Sequence, residues 1–258
     1  MLFIGMIFFA AFYFELAAFG SAANLSYGCG CRRVGAVHDN DVGNPFPGRM
    51  KASKLIALTF DDGPSEYTLM LLDAFSERNA VATFFTAGEA VRANPHIAYR
   101  IVSEGHEIAC HAYSHPFLTS LTADEIRVEL TKSRDAIYEA TGVYPAILRP
   151  PYGNYDLLVQ SVATEFGLPI ILWNVDTIDW RDRDVDIILS RITNSRGAPL
   201  VQNGDIIIMH DTLQTTVDAA IKIVDKLQGL GFQFVTVSQL FEAKDINLIP
   251  GAIYGCAR

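Results

Sequence analysis

Three of the six histidines in this 258-residue chain stand near residues whose types and spacing could do hydrolytic chemistry. Thr59-Phe60-Asp61-Asp62-Gly63-Pro64 sets two carboxylates side by side. Such a pair can be a turn and helix N-cap, where Asp accepts from backbone N–H groups. It can also divide the work of a metal site, one carboxylate on the cation and the other free as a general base. In His106-Glu107-Ile108-Ala109-Cys110-His111-Ala112-Tyr113-Ser114-His115-Pro116, His111 and His115 stand four apart, a spacing that one helical turn would bring to a single face. With Asp62 they offer two nitrogens and one oxygen. Three protein ligands and a vacant position for water are what a hydrolytic zinc-type site requires. Leu148-Arg149-Pro150-Pro151-Tyr152-Gly153 reads alone as ordinary loop chemistry. Asp176-Thr177-Ile178-Asp179-Trp180 and Ile208-Met209-His210-Asp211 complete the set. His210 comes at the mouth of an apolar run, where it is either a core histidine with a satisfied hydrogen bond or, with a nearby Asp to hold its proton, a general acid.

These residues need elements to position them. Short apolar runs at Leu55–Phe60, Ala82–Thr86, Glu107–Cys110, Ala146–Arg149, Pro169–Trp173, Asp205–Met209 and Gln233–Val237 predict strands, and segments of helical period lie between them. The clearest helix is predicted from Ala123 to Thr141. Thr122 and Glu125 form a capping box, Ile126, Leu130 and Ile137 the buried stripe, and Gly142 the stop. A second is predicted over Thr216–Gln228, with Val217, Ile221 and Val224 on one face and Gly229 ending it. Strands alternating with helices imply a single α/β domain with a parallel sheet, either closed into a barrel or open and doubly wound. Reactive groups in such folds gather at the carboxyl ends of strands, which is where Asp61, Asp62, His111, Arg149, Asp179 and His210 fall.

Composition bounds the rest. Half the residues are apolar and 19% are charged, so a large core is available, and the net charge of -9 argues against a nucleic-acid partner. Residues 2–20 are almost wholly apolar, and Ser21-Ala22-Ala23 follows as a cleavage-like site. Residues 1–23 therefore read as a signal peptide or an uncleaved N-terminal anchor, which places the folded part outside the cytosol, secreted or at the cell surface, with membrane contact only if the segment stays attached. Residues 24–54 read as an irregular lead-in, 55–242 as the folded domain and 243–258 as a C-terminal tail. In an exported protein Cys256 is expected to pair with Cys29 or Cys31, and Cys110 reads as a buried small hydrophobe.

TFDDG, HAYSH, RPPYG, DTIDW and IMH, in this order, resemble the five motifs of the carbohydrate esterase family 4 polysaccharide deacetylases, the NodB-homology domain. The resemblance implies a distorted (β/α) barrel of seven or eight strands and a divalent metal, most often Zn²⁺, with Co²⁺ as the alternative. It implies Asp62, His111 and His115 as metal ligands and Asp61 as general base, oriented by Arg149. It further implies His210 as general acid held by Asp179, the backbone N–H of Tyr152 as an oxyanion donor, and Trp180 and Ile208 as the lining of the acetyl pocket. Within the family, RPPYGNYD and WNVDTIDW look most like chitin deacetylases, so the expected substrate is a polymer of N-acetylglucosamine, chitin first and peptidoglycan second. Two positions depart from the family pattern: Ala112 stands where Ser or Thr is usual, and Cys110 where Asn is common. They leave the ligands in place but remove side-chain hydrogen bonding around them, and they keep open a second reading, a catalytically silent cell-wall protein that retains the fold and a sugar-binding groove.

Overall fold

The computed structural model describes residues 54–258. The apolar N-terminal segment, the lead-in up to residue 53, and Cys29 and Cys31 as partners for Cys256 lie outside the described residues. Among the described residues eight strands follow one another: β1 (Lys54–Asp61), β2 (Thr83–Thr86), β3 (Glu107–Cys110), β4 (Ile170–Ile171), β5 (Val175–Asp176), β6 (Ile206–His210), β7 (Phe232–Phe234) and β8 (Ile253–Tyr254). Every pairing between them is parallel. The main sheet runs β3-β2-β1-β6-β5, with β7 beside the start of β1 and β4 paired with β8. Single-residue bridges from Leu148 to Cys110 and to Ile170 carry the sheet round from β3 to β4. An antiparallel bridge between Asp205 and Cys256 ties β8 back toward β6. The result is a distorted α/β barrel, closed into a ring rather than open and doubly wound.

The strand period of two sorts the core into an inside and an outside. Ile56, Leu58 and Phe60 on β1, Phe84 on β2, Ile108 on β3 and Ile207 and Met209 on β6 pack outward against Leu71, Phe75, Ile101, Val217 and Val224 of the surrounding helices. The alternate positions Leu55, Ala57, Phe85, Ala109, Ile147, Ile171 and Ile206 form a separate interior cluster. Continuing that inward parity by two or four residues gives Thr59 and Asp61, His111, Arg149, Trp173, Ile208 and His210. The same alternation that fills the barrel with small and branched side chains thus delivers the polar groups to its carboxyl-end mouth. Cys110 has the opposite parity and packs outward with Leu118, Ile126, Leu130 and Leu148.

The strand predicted over Ala146–Arg149 is reduced to the Leu148 bridges, because Pro145 before it and Pro150 and Pro151 after it leave little ladder to form. The run predicted over Gln233–Val237 ends early: Thr236 caps a helix over Val237–Glu242, with Gln239 completing a capping box. β5 and β8, two residues each, are too short for periodicity to reveal. Helix Ala123–Thr141 starts and stops where predicted, with the Thr122–Glu125 box formed and Gly142 left-handed. The second predicted helix extends to Gln214–Gly229; its buried face holds Val217 and Val224, with Ile223 and Leu227 fully buried where Ile221 is only partly so. Residues 243–258 return to the barrel as β8 and bury Ala257 in the interior cluster. Among the described residues no helix is long and apolar enough to cross a membrane.

Candidate active site

The mouth of the barrel opens into a cleft of about 460 Å³ lined by Asp61, Asp62, His111, His115, Tyr152, Trp173, Asp176, Trp180, Ile208 and His210. Register explains the convergence. β1 and β6 pair so that Asp61 lies opposite His210, and β2 and β3 end together at Thr86 and Cys110, one residue before His111.

At the centre, Asp62 Oδ1 lies 3.1 Å from His115 Nε2 and 3.4 Å from His111 Nε2. The three candidate ligand atoms all fall within 4.8 Å of one another. His111 Nδ1 sits 2.7 Å from the carbonyl of Arg149. A carbonyl only accepts, so Nδ1 carries the proton and the Nε2 lone pair is left facing Asp62. Asp62 Oδ1 is buried and has no hydrogen-bond donor. Burial alone would raise its pKa, but the imidazoles of His111 and His115 beside it outweigh burial and hold the carboxyl well below the usual carboxylate range. An anionic oxygen without a donor, beside two aligned imidazole nitrogens, fits a divalent cation.

The four-residue spacing of the histidines does not work through a helix. Residues 111–117 form an irregular loop in which Ala112 and His115 are left-handed, at φ 60° and 58°, and this brings the two ring centroids to 5.0 Å. A loop with two left-handed residues does here what one helical turn was expected to do.

Asp61 stands to one side of this group. Its Oδ1 accepts from Arg149 Nη1 at 2.6 Å, and its Oδ2 lies 3.7 Å from His111 Nε2. Arg149 is fully buried. It donates to Thr59 Oγ1 at 2.8 Å and to the carbonyls of Ile171 and Leu172 at 3.1 Å each, and its guanidinium lies 3.9 Å from the centroid of the Phe85 ring. With every side of the fork occupied, Arg149 holds Asp61 in one orientation.

His210 stands on the other side. Its Nδ1 is 2.9 Å from Asp179 Oδ1, and its backbone N–H donates to Asp179 Oδ2 at 2.8 Å. Thr216 and Thr177 donate to the same carboxylate at 2.7 and 3.1 Å. Burial works against the charged imidazole, yet the hydrogen bond and charge of Asp179, with smaller help from Asp61 and Asp62, raise the His210 pKa to about 9. Asp179 is itself held below the carboxylate range: burial opposes its charge, and the hydrogen bond and charge of His210 overcome it, helped by Thr216.

Tyr152, also left-handed at φ 61°, lies in the cleft wall with its ring 4.6 Å from that of His115 and stacked on Phe117 at 3.9 Å. Trp180 and Ile208 line the opposite wall, Trp180 with about half its surface exposed. Thus all ten residues singled out in the sequence reach the site or its supporting layer. Sequence reasoning left out Trp173 and Asp176 as lining residues, and Thr59, Thr177 and Thr216 as supports. The inward parity of Trp173 was a signal available in the sequence; a single supporting threonine offers none.

Neither departure from the motif pattern reaches the ligands. Cys110 is a free, fully buried thiol 3.4 Å from Ser133 Oγ, and burial pushes its pKa up, so it does not compete for a cation. Ala112 is fully buried and its carbonyl accepts from Gly88 N–H.

Behind the ligand turn, Asp211 is fully buried, with Oδ2 bonded to Thr68 and Oδ1 without a partner. Burial raises its pKa to about 7, against the opposing Thr68 bond, and the charge of Asp62 adds to the rise. A Cβ on Gly63 would overlap this carboxyl. Gly63→Ala is therefore expected to destabilise the fold by about 1–3 kcal/mol, the usual cost of overpacking. Denaturant melts check this, and an unchanged midpoint would show that the turn can yield.

A family model described as Polysaccharide deacetylase matches residues 48–171. Peptidoglycan-N-acetylglucosamine deacetylase PgdA of Listeria monocytogenes serotype 1/2a is 39% identical over 197 residues, 76% of this chain and 41% of PgdA. A peptidoglycan-N-acetylglucosamine deacetylase of Bacillus cereus is 38% identical over 192 residues, 72% of this chain and 68% of that protein. The chain spans about two fifths of the length of PgdA. The solved structure of "T48 deacetylase with substrate" superimposes with a TM-score of 0.72 at 40% identity, over 78% of this chain and 96% of that one. Both of these relatives are named for peptidoglycan.

Proposed function

Because the chain belongs to the polysaccharide deacetylase family, we propose that it hydrolyses N-acetyl groups from N-acetylglucosamine units of a cell-wall polysaccharide, with peptidoglycan placed ahead of chitin as substrate. The observation that carries the reading is the arrangement across one cleft: three converging ligand atoms flanked by an arginine-held carboxylate and an aspartate-held imidazole. Peptidoglycan goes ahead of chitin on the names of the relatives. The same names, with the apolar residues 2–20, support an exported or cell-surface location.

A divalent cation held by Asp62, His111 and His115, Zn²⁺ in this reading, would supply Lewis acidity toward the acetyl carbonyl and the attacking water. Asp61 accepts the proton of that water, its second oxygen occupied by Arg149 so that one lone pair is aimed at the cleft. The backbone N–H of Tyr152 is the donor assigned to the developing oxyanion, a contact worth about 3–4 kcal/mol where a single such donor has been removed. His210 carries the proton that the leaving amine needs, and its pKa of about 9 keeps it charged at neutral pH. Trp180 and Ile208 supply the apolar wall for the acetyl methyl group.

Acetate release from N-acetylated peptidoglycan and from chitin oligomers, with Zn²⁺ and with Co²⁺, tests the reading. Release is expected to exceed that from chitin on peptidoglycan, to vanish after chelation and to return with added metal. No release on either polymer from protein that holds stoichiometric zinc would overturn it in favour of a silent wall-binding protein.

A further inference from the structure

We infer that Glu129 is a positioning residue for the metal-ligand loop, fixing the backbone between His111 and His115 so that both imidazoles face Asp62 before any cation arrives. This rests on the ligand reading above. Glu129 lies on helix Ala123–Thr141, outside all five sequence motifs, and is not among the residues that line the cleft. Its Oε2 accepts from the backbone N–H groups of Tyr113 at 2.9 Å and Ser114 at 2.8 Å, and its Oε1 accepts from Ser114 Oγ at 2.9 Å.

The loop needs such an anchor. Ala112 and His115 both hold positive φ, which costs roughly 1–2 kcal/mol for each non-glycine residue, and no helix or sheet ladder absorbs the polar groups between them. The carbonyls of Ala112 and Tyr113 accept from Gly88 and Glu89 N–H at 3.0 Å each. The N–H groups of Tyr113 and Ser114 both go to Glu129. One carboxylate therefore takes two of the three N–H groups in the segment that separates the ligands. Its own place is fixed by Ile126 and Leu130, buried on either side of it in the same helix. Where the family pattern has a hydroxyl after the first histidine and this chain has Ala112, the fastening comes from across the loop.

Glu129→Ala and Glu129→Gln test the assignment, read by zinc affinity in chelator competition and by amide hydrogen exchange of the metal-free protein. Alanine is a good residue for a helix interior, so the helix survives the change. Glu129→Ala is expected to weaken zinc binding by about 10- to 100-fold, the usual effect of losing a group that orients ligands. Glu129→Gln keeps a carbonyl oxygen for the two N–H groups and is expected to stay within about threefold of wild type. In metal-free wild type the Tyr113 and Ser114 amides are expected to be protected, and in Glu129→Ala to exchange freely. Equal zinc affinity in wild type and Glu129→Ala overturns the inference while leaving the ligand reading intact. So does a Glu129→Gln protein as weak as Glu129→Ala, since that assigns the effect to charge, and so do unprotected Tyr113 and Ser114 amides in metal-free wild type. A wild-type protein that binds no zinc overturns both the ligand reading and this inference.

Discussion

Asp61→Asn is expected to lower deacetylation by about two to four orders of magnitude while leaving zinc bound, whereas Asp62→Asn loses the zinc and the activity together. The neighbours differ by one residue and by everything around them. Asp61 continues the inward parity of β1 onto the buried Arg149, and one oxygen is committed to that guanidinium. Asp62, turned by its positive φ, presents a donor-free oxygen to two imidazoles. Asn at 61 still accepts from Arg149 but has no basic oxygen to take a proton from water, so the loss falls on general base catalysis, worth about 10²–10⁴. It also leaves Arg149 charged and buried without an anionic partner, and breaking such a pair costs about 3–5 kcal/mol. Turnover must therefore be divided by the folded fraction at the assay temperature. If the corrected loss is under tenfold, Asp61 serves the fold rather than the reaction. If Asp61→Asn also releases zinc, the division of labour between the two carboxylates is wrong.

How much of this was legible beforehand follows from which signals are local. Capping is local, so helix Ala123–Thr141 could be read to the residue from Thr122, Glu125 and Gly142. Strand alternation is nearly so, and the carboxyl ends of the strands placed Asp61, His111 and His210 at one mouth. Ring closure was implied by resemblance but not by pattern. It depends on the Leu148 bridges, all that the surrounding prolines leave of the strand predicted over Ala146–Arg149, and on β8, which is too short to carry a period. The HxxxH spacing pointed to two imidazoles that do come together, but through a different geometry, because spacing of four is compatible with a helical turn and equally with a loop whose left-handed residues are alanine and histidine. Chitin as the preferred polymer was drawn from stretches at the cleft rim, and substrate choice resides in the shape of surrounding loops rather than in those few residues. Glu129 was invisible for a different reason. A glutamate beside the buried stripe of an amphipathic helix has no sequence mark that separates a fastening from solvent contact, and only the approach of a loop brought from elsewhere in the chain makes it one.

The other large effect is expected from Asp179→Asn, and it should appear as a moved pH limb as well as a lost rate. His210 must be protonated to give its proton to the leaving amine, so kcat/KM falls as pH rises through the His210 pKa, at about 9 in the native protein. Asp179 holds that proton with one oxygen at 2.9 Å from Nδ1, while its other oxygen accepts from His210 N–H and Thr216. Asn keeps the shape but removes the charge, and its amide nitrogen must face one of the N–H groups that both oxygens now accept from. The alkaline limb is expected to move from about 9 toward the ordinary histidine value of about 6.5. The rate at pH 7.5 should fall by about 10²–10⁴ as the imidazole loses both its proton and its orientation. Stability follows the same group. A histidine whose pKa is raised on folding stabilises the protein fully below its unfolded value near 6.5 and loses that contribution as pH rises through about 9. Asp179, lowered on folding, contributes above the ordinary carboxylate pKa and loses its share as the solution is acidified. Wild type should therefore lose stability between pH 6.5 and 9, and Asp179→Asn should show a flatter profile across that interval. A variant whose alkaline limb stays near 9 would mean that something other than Asp179 holds the His210 proton, and the acid would have to be sought elsewhere in the cleft.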